Sequence, residues 1–241
     1  MRIITDTKLV TRNAAIAKYT GGAGLVLLVG ALLLNLYALS RPQDTQLLAY
    51  VFGAFLVGYT LTNLGGAMNN RWGRRADKGL GDALRGLDDR WTLYNFRLGA
   101  SHALVGPSGV FILHPKYQYG LIAFEGGKWR NPGAPRGFLA LFNRDPLGNP
   151  SGEAAAEVDA LNRFLAKQAP ELKVNPQALI VFMHPRAIVE AREAPVPAVY
   201  FKNLKEHLRK LPKGPTVPAP SLHALEEKLG IAAPKEQVEA Q

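Results

Sequence analysis

The 241-residue sequence contains no cysteine. Disulfide bonds, thiol nucleophiles and cysteine-ligated metals are therefore excluded. Acidic residues are also scarce, since 19 aspartates and glutamates stand against 29 lysines and arginines, which gives a formal net charge of +10. This charge suits an anionic partner, either nucleic acid or a phospholipid surface, and the composition alone does not distinguish the two.

Charged side chains are also missing from two long stretches near the N-terminus, residues 19–40 and 45–70. About 20 mostly apolar residues cross a bilayer as a helix, so each stretch is long enough. The short segment 41–44 between them predicts the turn of a helical hairpin. The alternative is a signal peptide followed by a buried core helix. Against it, the first stretch is longer than a usual signal core, a second stretch follows at once, and neither has a polar face.

The flanks of the two stretches predict their orientation. Lysines and arginines concentrate outside both outer ends, at Arg2, Lys8, Arg12, Lys18, Arg71, Arg74, Arg75 and Lys78. Such flanks stay in the cytoplasm, so we predict a two-span protein of the cell membrane with both termini cytoplasmic. Small residues predict close packing of the two helices on each other or on a partner. They are Gly21, Gly22, Gly24, Gly30, Gly53, Gly58, Gly65 and Gly66.

Beyond residue 70 the pattern is that of an α/β domain. It predicts helices at 78–89, 153–167 and 201–210, and strands at 91–98, 102–106, 110–113, 119–124 and 178–183. Residues 213–220 are rich in proline and predict a linker, after which Ser221 begins a short helix. The predicted organisation is a basic N-terminus (1–18), a transmembrane hairpin (19–70), an α/β domain (71–211), and a linker with a helix and tail (212–241).

Several segments of the α/β domain also occur in an order known from one family. They are Gly79-Leu80-Gly81-Asp82, the hairpin 105–112, Asp145-Pro146-Leu147, Val181-Phe182, Pro195-Val196-Pro197 and residues 204–208. In this order they resemble the nuclease-related domain (NERD) family, a branch of the restriction-endonuclease-like fold. The resemblance covers residues 78–211 and implies a mixed central sheet flanked by helices.

The resemblance also implies a nuclease site, with an aspartate on one strand and a Glu-x-Lys motif on the next. Here Ser101 and His114 replace the two carboxylates, whereas Lys116 and Asp82 keep matching positions. Because Mg²⁺ needs carboxylate oxygens, a serine and an imidazole do not substitute for them. We therefore predict a cleft without acidic side chains, and hence no metal, no cofactor and no catalytic residue. Asn149 stands where the family often has glutamine.

Three further interpretations concern individual side chains. His102 and His114 could meet at a zinc ion, but zinc needs at least three protein ligands and no third is apparent. The simpler account is that Pro115 ends the strand and leaves the imidazole of His114 at the end of the sheet. Lys116, Lys128, Trp129 and Arg130 could hold phosphates and stack on a base, or else form a solvated face with a core tryptophan.

Three functional classes follow. The first is a membrane-tethered binding module, and the second is an accessory subunit of a membrane assembly. The third is an active nuclease with a rearranged site. We favour a membrane-anchored, inactive nuclease-like domain, with the first two classes level. The expected partners are the lipid bilayer, other membrane-protein subunits and nucleic acid. The sequence identifies neither a specific ligand nor an oligomeric state.

Overall fold

The structure is a computed structural model that describes residues 1–134, 145–172, 174–212 and 217–231. The chain forms two compact units. The first, which we call the hairpin unit, contains Asp6–Gly79 and Gly133–Pro146. The second, the sheet unit, contains Met1–Thr5, Leu80–Pro132 and Leu147–Gln241. Residues 213–216 of the predicted linker 213–220 and the tail 232–241 lie outside the described residues.

Two long helices dominate the hairpin unit. Helix α1 spans Thr7–Leu39 and α2 spans Thr45–Met68, followed by a π-helical turn at Asn69–Gly73. Each begins after an aspartate whose carboxylate accepts a backbone N–H of the first turn. Both are long and apolar enough to cross a membrane. Large apolar side chains of α2 are exposed, for example Tyr50 (61%), Phe52 (69%) and Phe55 (54%), so α2 is not a buried core helix.

Small residues allow α1 and α2 to pack closely. The buried residues of α1 recur every seventh position: Val10, Ala17, Gly24, Ala31 and Ala38. Residues seven positions apart lie on the same face of a helix. This face of α1 packs against the buried residues of α2, which are Gly58, Thr62 and Gly65. A methyl group on Gly65 would lie 2.4 Å from the backbone nitrogen of Gly21. The predicted packing of the helices on each other is therefore present, although Gly22, Gly30 and Gly53 face open space.

The sheet unit contains one large and one small sheet. The strands are β1 (Arg2–Thr5), β2 (Thr92–Asn95), β3 (His102–Gly106), β4 (Gly109–Lys116), β5 (Gly120–Glu125), β6 (Lys128–Arg130), β7 (Gln177–Phe182), β8 (Ala187–Glu190) and β9 (Ala198–Tyr200). The large sheet has the strand order β1-β2-β3-β4-β7-β9, and the small sheet has the order β6-β5-β8. The central strands β2, β3 and β4 are antiparallel, whereas β1, β7 and β9 join in parallel.

Helices cover both faces of the large sheet, because alternate residues of its strands point to opposite sides. On one face, Leu93, Leu104 and Leu113 pack with α3 (Ala76–Ala83) and α5 (Leu204–Lys210). On the other face, Tyr94, Ala103 and Ile112 pack with α4 (Pro150–Gln168) and α6 (Ala219–Lys228). The predicted mixed sheet flanked by helices is confirmed at this level.

Several element boundaries differ from the predictions. The strand predicted at 91–98 ends at Asn95, because Phe96 has a φ of 58°, which breaks the extended backbone. The helix predicted at 78–89 covers Ala76–Ala83 instead. Strands β1, β6, β8 and β9 are short and were not predicted. Strand β1 is the most consequential, since it places residues 2–5 in the sheet within what was predicted to be a basic N-terminus.

Candidate functional site

Strand β4 carries His114 and Lys116 to the edge of the core. The sequence predicted that Pro115 ends this strand, but β4 continues to Lys116 and pairs with β7 over that length. The proline is tolerated because the pairing of β3 with β4 stops earlier, at Ala103 opposite Ile112. Its missing N–H therefore removes no β3–β4 hydrogen bond. Both flanking side chains are buried, with His114 9% and Lys116 8% exposed.

Helix α4 places two carboxylates against these side chains. Asn149 caps the helix by accepting the backbone N–H of Gly152 at 3.2 Å. Glu153 and Glu157 follow at i and i+4 and so lie on one face of α4. Ring atom Nε2 of His114 lies 3.2 Å from Glu153 Oε2, and Nδ1 lies 3.2 Å from Glu157 Oε1.

Lys116 completes this group, since its Nζ donates to Glu153 Oε2 at 3.0 Å. We call His114, Lys116, Glu153 and Glu157 the charge cluster. It holds two carboxylates, one ammonium group and one imidazole.

The preceding loop and strand contribute to the same place. The backbone N–H of Ser101 donates to Glu157 Oε2 at 3.2 Å. His102 lies next in sequence, and its Nδ1 is 2.8 Å from Asn95 Oδ1. Three motif positions implied by the resemblance (Ser101, His114 and Lys116) are therefore brought together around the two glutamates. The ring of His102 thus contacts Asn95, whereas that of His114 contacts Glu153 and Glu157.

The pKa values reflect this mutual pairing. Burial alone would lower the pKa of His114, but its hydrogen bonds to Glu153 and Glu157 outweigh burial, so the pKa is raised. The hydrogen bond from His114, with help from Lys116, lowers the pKa of Glu153 to about 2. Burial would raise the pKa of Glu157, but its contact with His114 prevails and the pKa is lowered. The glutamates are thus ionised, and protonation of His114 is favoured.

The predicted absence of acidic side chains is wrong, because Glu153 and Glu157 lie beside His114 and Lys116. Their charges are nevertheless already matched by a lysine and an imidazole that favours its protonated form. A divalent ion at Glu153 Oε2 or Glu157 Oε1 would have to compete with these hydrogen-bond donors. Within the residues that the structure describes, no group of three or more His, Asp or Glu side chains is arranged to hold a metal ion.

The two glutamates were missed because their partners lie far away in sequence. Glu153 is 39 residues from His114, and Glu157 is 43 residues from it. The i, i+4 spacing of two glutamates at the start of the predicted helix 153–167 was the only available signal. That spacing is common on solvated helix faces, so it does not by itself indicate a site.

Two other candidate residues, Asp82 and Trp129, bond to partners outside the charge cluster. Asp82 is on the exposed side of α3 and pairs with Arg85 at 2.9 Å, on the opposite sheet face from α4. On β6, the indole N–H of Trp129 donates to Ser151 Oγ at 2.9 Å, and its ring contacts Phe124 and Phe182. Its flanking side chains, Lys128 and Arg130, are exposed. A partly buried tryptophan between two exposed cations fits both alternatives that the sequence left open, the phosphate-binding set and the solvated face.

Comparisons with known proteins add no relative: no protein-family model, no curated protein and no solved structure matches the chain.

Proposed function

We propose that this chain is a membrane-anchored, catalytically inactive nuclease-like domain that acts as a binding module or an accessory subunit of a membrane assembly. The observation that carries the proposal is the charge cluster. At the position where the resembled family has a metal-binding glutamate, His114 is hydrogen-bonded to Glu153 and Glu157. A lysine that would otherwise serve catalysis is likewise bound to Glu153.

Two features support the membrane anchor. First, the large apolar side chains of α1 and α2 are widely exposed, whereas soluble monomers rarely expose contiguous apolar surface of this extent. Second, β1 precedes α1 in the chain and pairs with β2, which follows α2. Because the two strands belong to one sheet, the chain ends on both sides of the hairpin belong on one side of the membrane. With the basic flanks, this supports a cell-membrane protein whose termini are cytoplasmic.

A second candidate is an active metal-dependent nuclease with a rearranged site. It is favoured by the presence of two carboxylates, Glu153 and Glu157, within contact distance of His114 and Lys116. A hard divalent ion prefers such oxygen ligands. The arrangement nevertheless favours the inactive domain, because a metal held by both glutamates would have to compete with Lys116 and with His114, whose protonated form the glutamates favour.

A cleavage assay separates the two candidates. The full chain, purified in mild detergent, is incubated with supercoiled plasmid DNA and Mg²⁺ or Mn²⁺. We expect the wild type and Lys116→Ala to leave the plasmid equally intact. Cleavage by the wild type that disappears in Lys116→Ala would establish the nuclease, since a contaminating enzyme would act equally in both preparations.

The assembly role is tested by native purification. An accessory subunit should co-purify with membrane-protein partners at fixed stoichiometry after mild detergent extraction. A nucleic-acid tether should instead bind an oligonucleotide with affinity that falls steeply as salt rises, because binding releases counterions. A monodisperse chain that shows neither behaviour would contradict both forms of the proposal.

A further inference from the structure

The sheet unit contains a cavity of about 480 Å³ between the edge of the large sheet and the first turns of α6, which we call the edge cavity. Its floor is a row of register partners on three neighbouring strands, Arg2 of β1, Thr92 of β2 and Val105 of β3. Register partners point to the same side of a sheet, here the side that α6 covers. The volume lies within the usual range of small-molecule sites.

Two polar side chains on this floor lack the hydrogen bonds that buried groups normally form. Thr92 is 5% exposed, and its hydroxyl has no hydrogen-bond partner among the residues that the structure describes. The guanidinium of Arg2 donates from Nη2 to Glu226, but its Nε is buried and likewise has no partner in the described part of the chain. Because the two groups lie side by side on paired strands, one occupant of the edge cavity can meet both.

The rest of the lining determines what kind of occupant fits. Arg90 adds a second guanidinium at the rim, where its side chain is 66% exposed. Asp89 also lines the edge cavity, but its carboxylate is fully exposed and pairs with the amino group of Met1 at 2.8 Å. The apolar part of the lining consists of Val105, Pro107, Val217 and Leu222. An occupant therefore meets both hydrogen-bond donors and apolar side chains.

We propose that the edge cavity binds a small molecule that carries a carboxylate or phosphate group on an apolar body. Ionised oxygens of this kind only accept hydrogen bonds, and they suit the guanidinium of Arg2 and the hydroxyl of Thr92. The apolar body lies against Val105 and Leu222, where removal of apolar surface from water contributes affinity. The site shares no lining residue with the charge cluster and does not depend on the membrane anchor.

Binding is measured by isothermal titration calorimetry on the full chain, purified in mild detergent. Phenyl phosphate and benzoate are the two probes, and benzamide is the neutral comparison, because it keeps the ring and lacks the charge. We expect one probe molecule per chain, with benzamide about tenfold weaker, since hydrogen bonds to charged groups are the stronger ones. The tighter of the two anions assigns the group as phosphate or carboxylate.

Thr92→Val is the decisive variant, because the hydroxyl that it removes has no partner among the described residues. It should keep the thermal stability of the wild type and bind the preferred probe about fivefold more weakly, which corresponds to one lost hydrogen bond. Thr5→Val is the matched control. Thr5 lies on β1 but faces the other side of the sheet, where its hydroxyl accepts from Asn95 Nδ2 at 2.9 Å. This control should lose stability and keep the affinity.

Three results would overturn the site. The first is no binding of either anion at millimolar concentration, and the second is equal affinity for benzamide. The third is a Thr92→Val variant that loses stability and keeps the wild-type affinity, because the hydroxyl would then serve the fold alone.

Discussion

His114 shows how the charged form of a buried imidazole is favoured in this protein. Removing an imidazolium from water is unfavourable, and the loss is offset only when hydrogen-bonding counter-charges surround it. Here the acceptors are Glu153 and Glu157, and Lys116 balances the remaining negative charge. A cluster of these groups joins β4 to α4, and we expect it to leave the carboxylates little affinity for another cation.

The sign of each pKa change defines a pH window for stability. The raised pKa of His114 contributes stability below its unfolded pKa of about 6.5, which is lost as pH rises through the folded pKa. The lowered pKa values of Glu153 and Glu157 contribute stability above about pH 4.5, which is lost as pH falls. The cluster should therefore stabilise the sheet unit most between about pH 4.5 and 6.5.

Replacement of His114 by glutamine tests this window. We expect His114→Gln to lower the free energy of unfolding by about 2 kcal/mol near pH 5.5, because Glu157 and the more exposed Glu153 lose a charged donor. The difference from wild type should shrink as pH rises above about 6.5, and denaturant unfolding at several pH values measures it. His207, whose pKa is lowered by burial, titrates in both proteins and cancels in the difference. A difference that stays constant from acid to alkaline pH would contradict this account.

At the scale of elements, close helix packing in the hairpin depends on positions that accept no side chain. A methyl group on Gly65 would lie 2.4 Å from the backbone nitrogen and 2.5 Å from the Cα of Gly21. A methyl group on Gly22, one residue along α1, would meet nothing within 4 Å. The two glycines look alike in sequence, and only the helix register distinguishes them.

We expect Gly65→Val to force α1 and α2 apart and to cost about 1–3 kcal/mol, the usual range for overpacking. Gly22→Val is the control and should be nearly neutral. Thermal loss of helical circular dichroism in detergent, together with protease resistance, measures the difference. Equal behaviour of the two variants would show that the helices do not pack through Gly65.

A second element-scale feature is the connection between the chain termini of the sheet unit. Glu226 of α6 is 4% exposed and accepts hydrogen bonds from Arg2 of β1 and from the hydroxyl of Tyr94 on β2. Burial, followed by the contact with Glu226, raises the pKa of Tyr94. The carboxylate of Glu226 thus connects α6 to β1, the edge strand that immediately precedes α1.

Glu226→Ala should therefore loosen β1. We expect faster amide hydrogen exchange at residues 3–5 and a loss of about 1–3 kcal/mol, since Arg2 and Tyr94 would be left without their acceptor. Glu227→Ala removes an exposed carboxylate of the same helix turn and should leave exchange unchanged. Unaltered exchange in Glu226→Ala would mean that β1 is held by its pairing with β2 alone.

At the scale of the whole molecule, local sequence patterns predicted the helices and strands that depend on neighbouring residues alone. The two uncharged stretches became α1 and α2, and strand β3 spans the predicted residues 102–106. Features that depend on distant partners were not predictable in this way. Strand β1 consists of four residues beside a strand 90 positions away, as in the pairing of Arg2 with Thr92. The two glutamates beside His114 are likewise a product of tertiary packing.

The pairing of β1 with β2 makes a prediction about the whole molecule. The N-terminus and the residues after α2 should be modified from one side of the membrane only. Because the chain has no cysteine, single cysteines at Lys8 and Lys228 can be labelled with a membrane-impermeant maleimide in sealed vesicles. Both positions should react, or both should be protected. Opposite accessibility would contradict a two-span hairpin.

The most direct test of the central claim, that the charge cluster leaves its carboxylates unavailable to a divalent metal, is Mn²⁺ binding measured by electron paramagnetic resonance. The purified full chain is titrated near neutral pH, with Glu153→Gln/Glu157→Gln as the control. We predict that the wild type and the control bind Mn²⁺ equally weakly, because Lys116 and His114 already pair with both glutamates. One tightly bound Mn²⁺ per wild-type chain, absent in the double variant, would contradict the account.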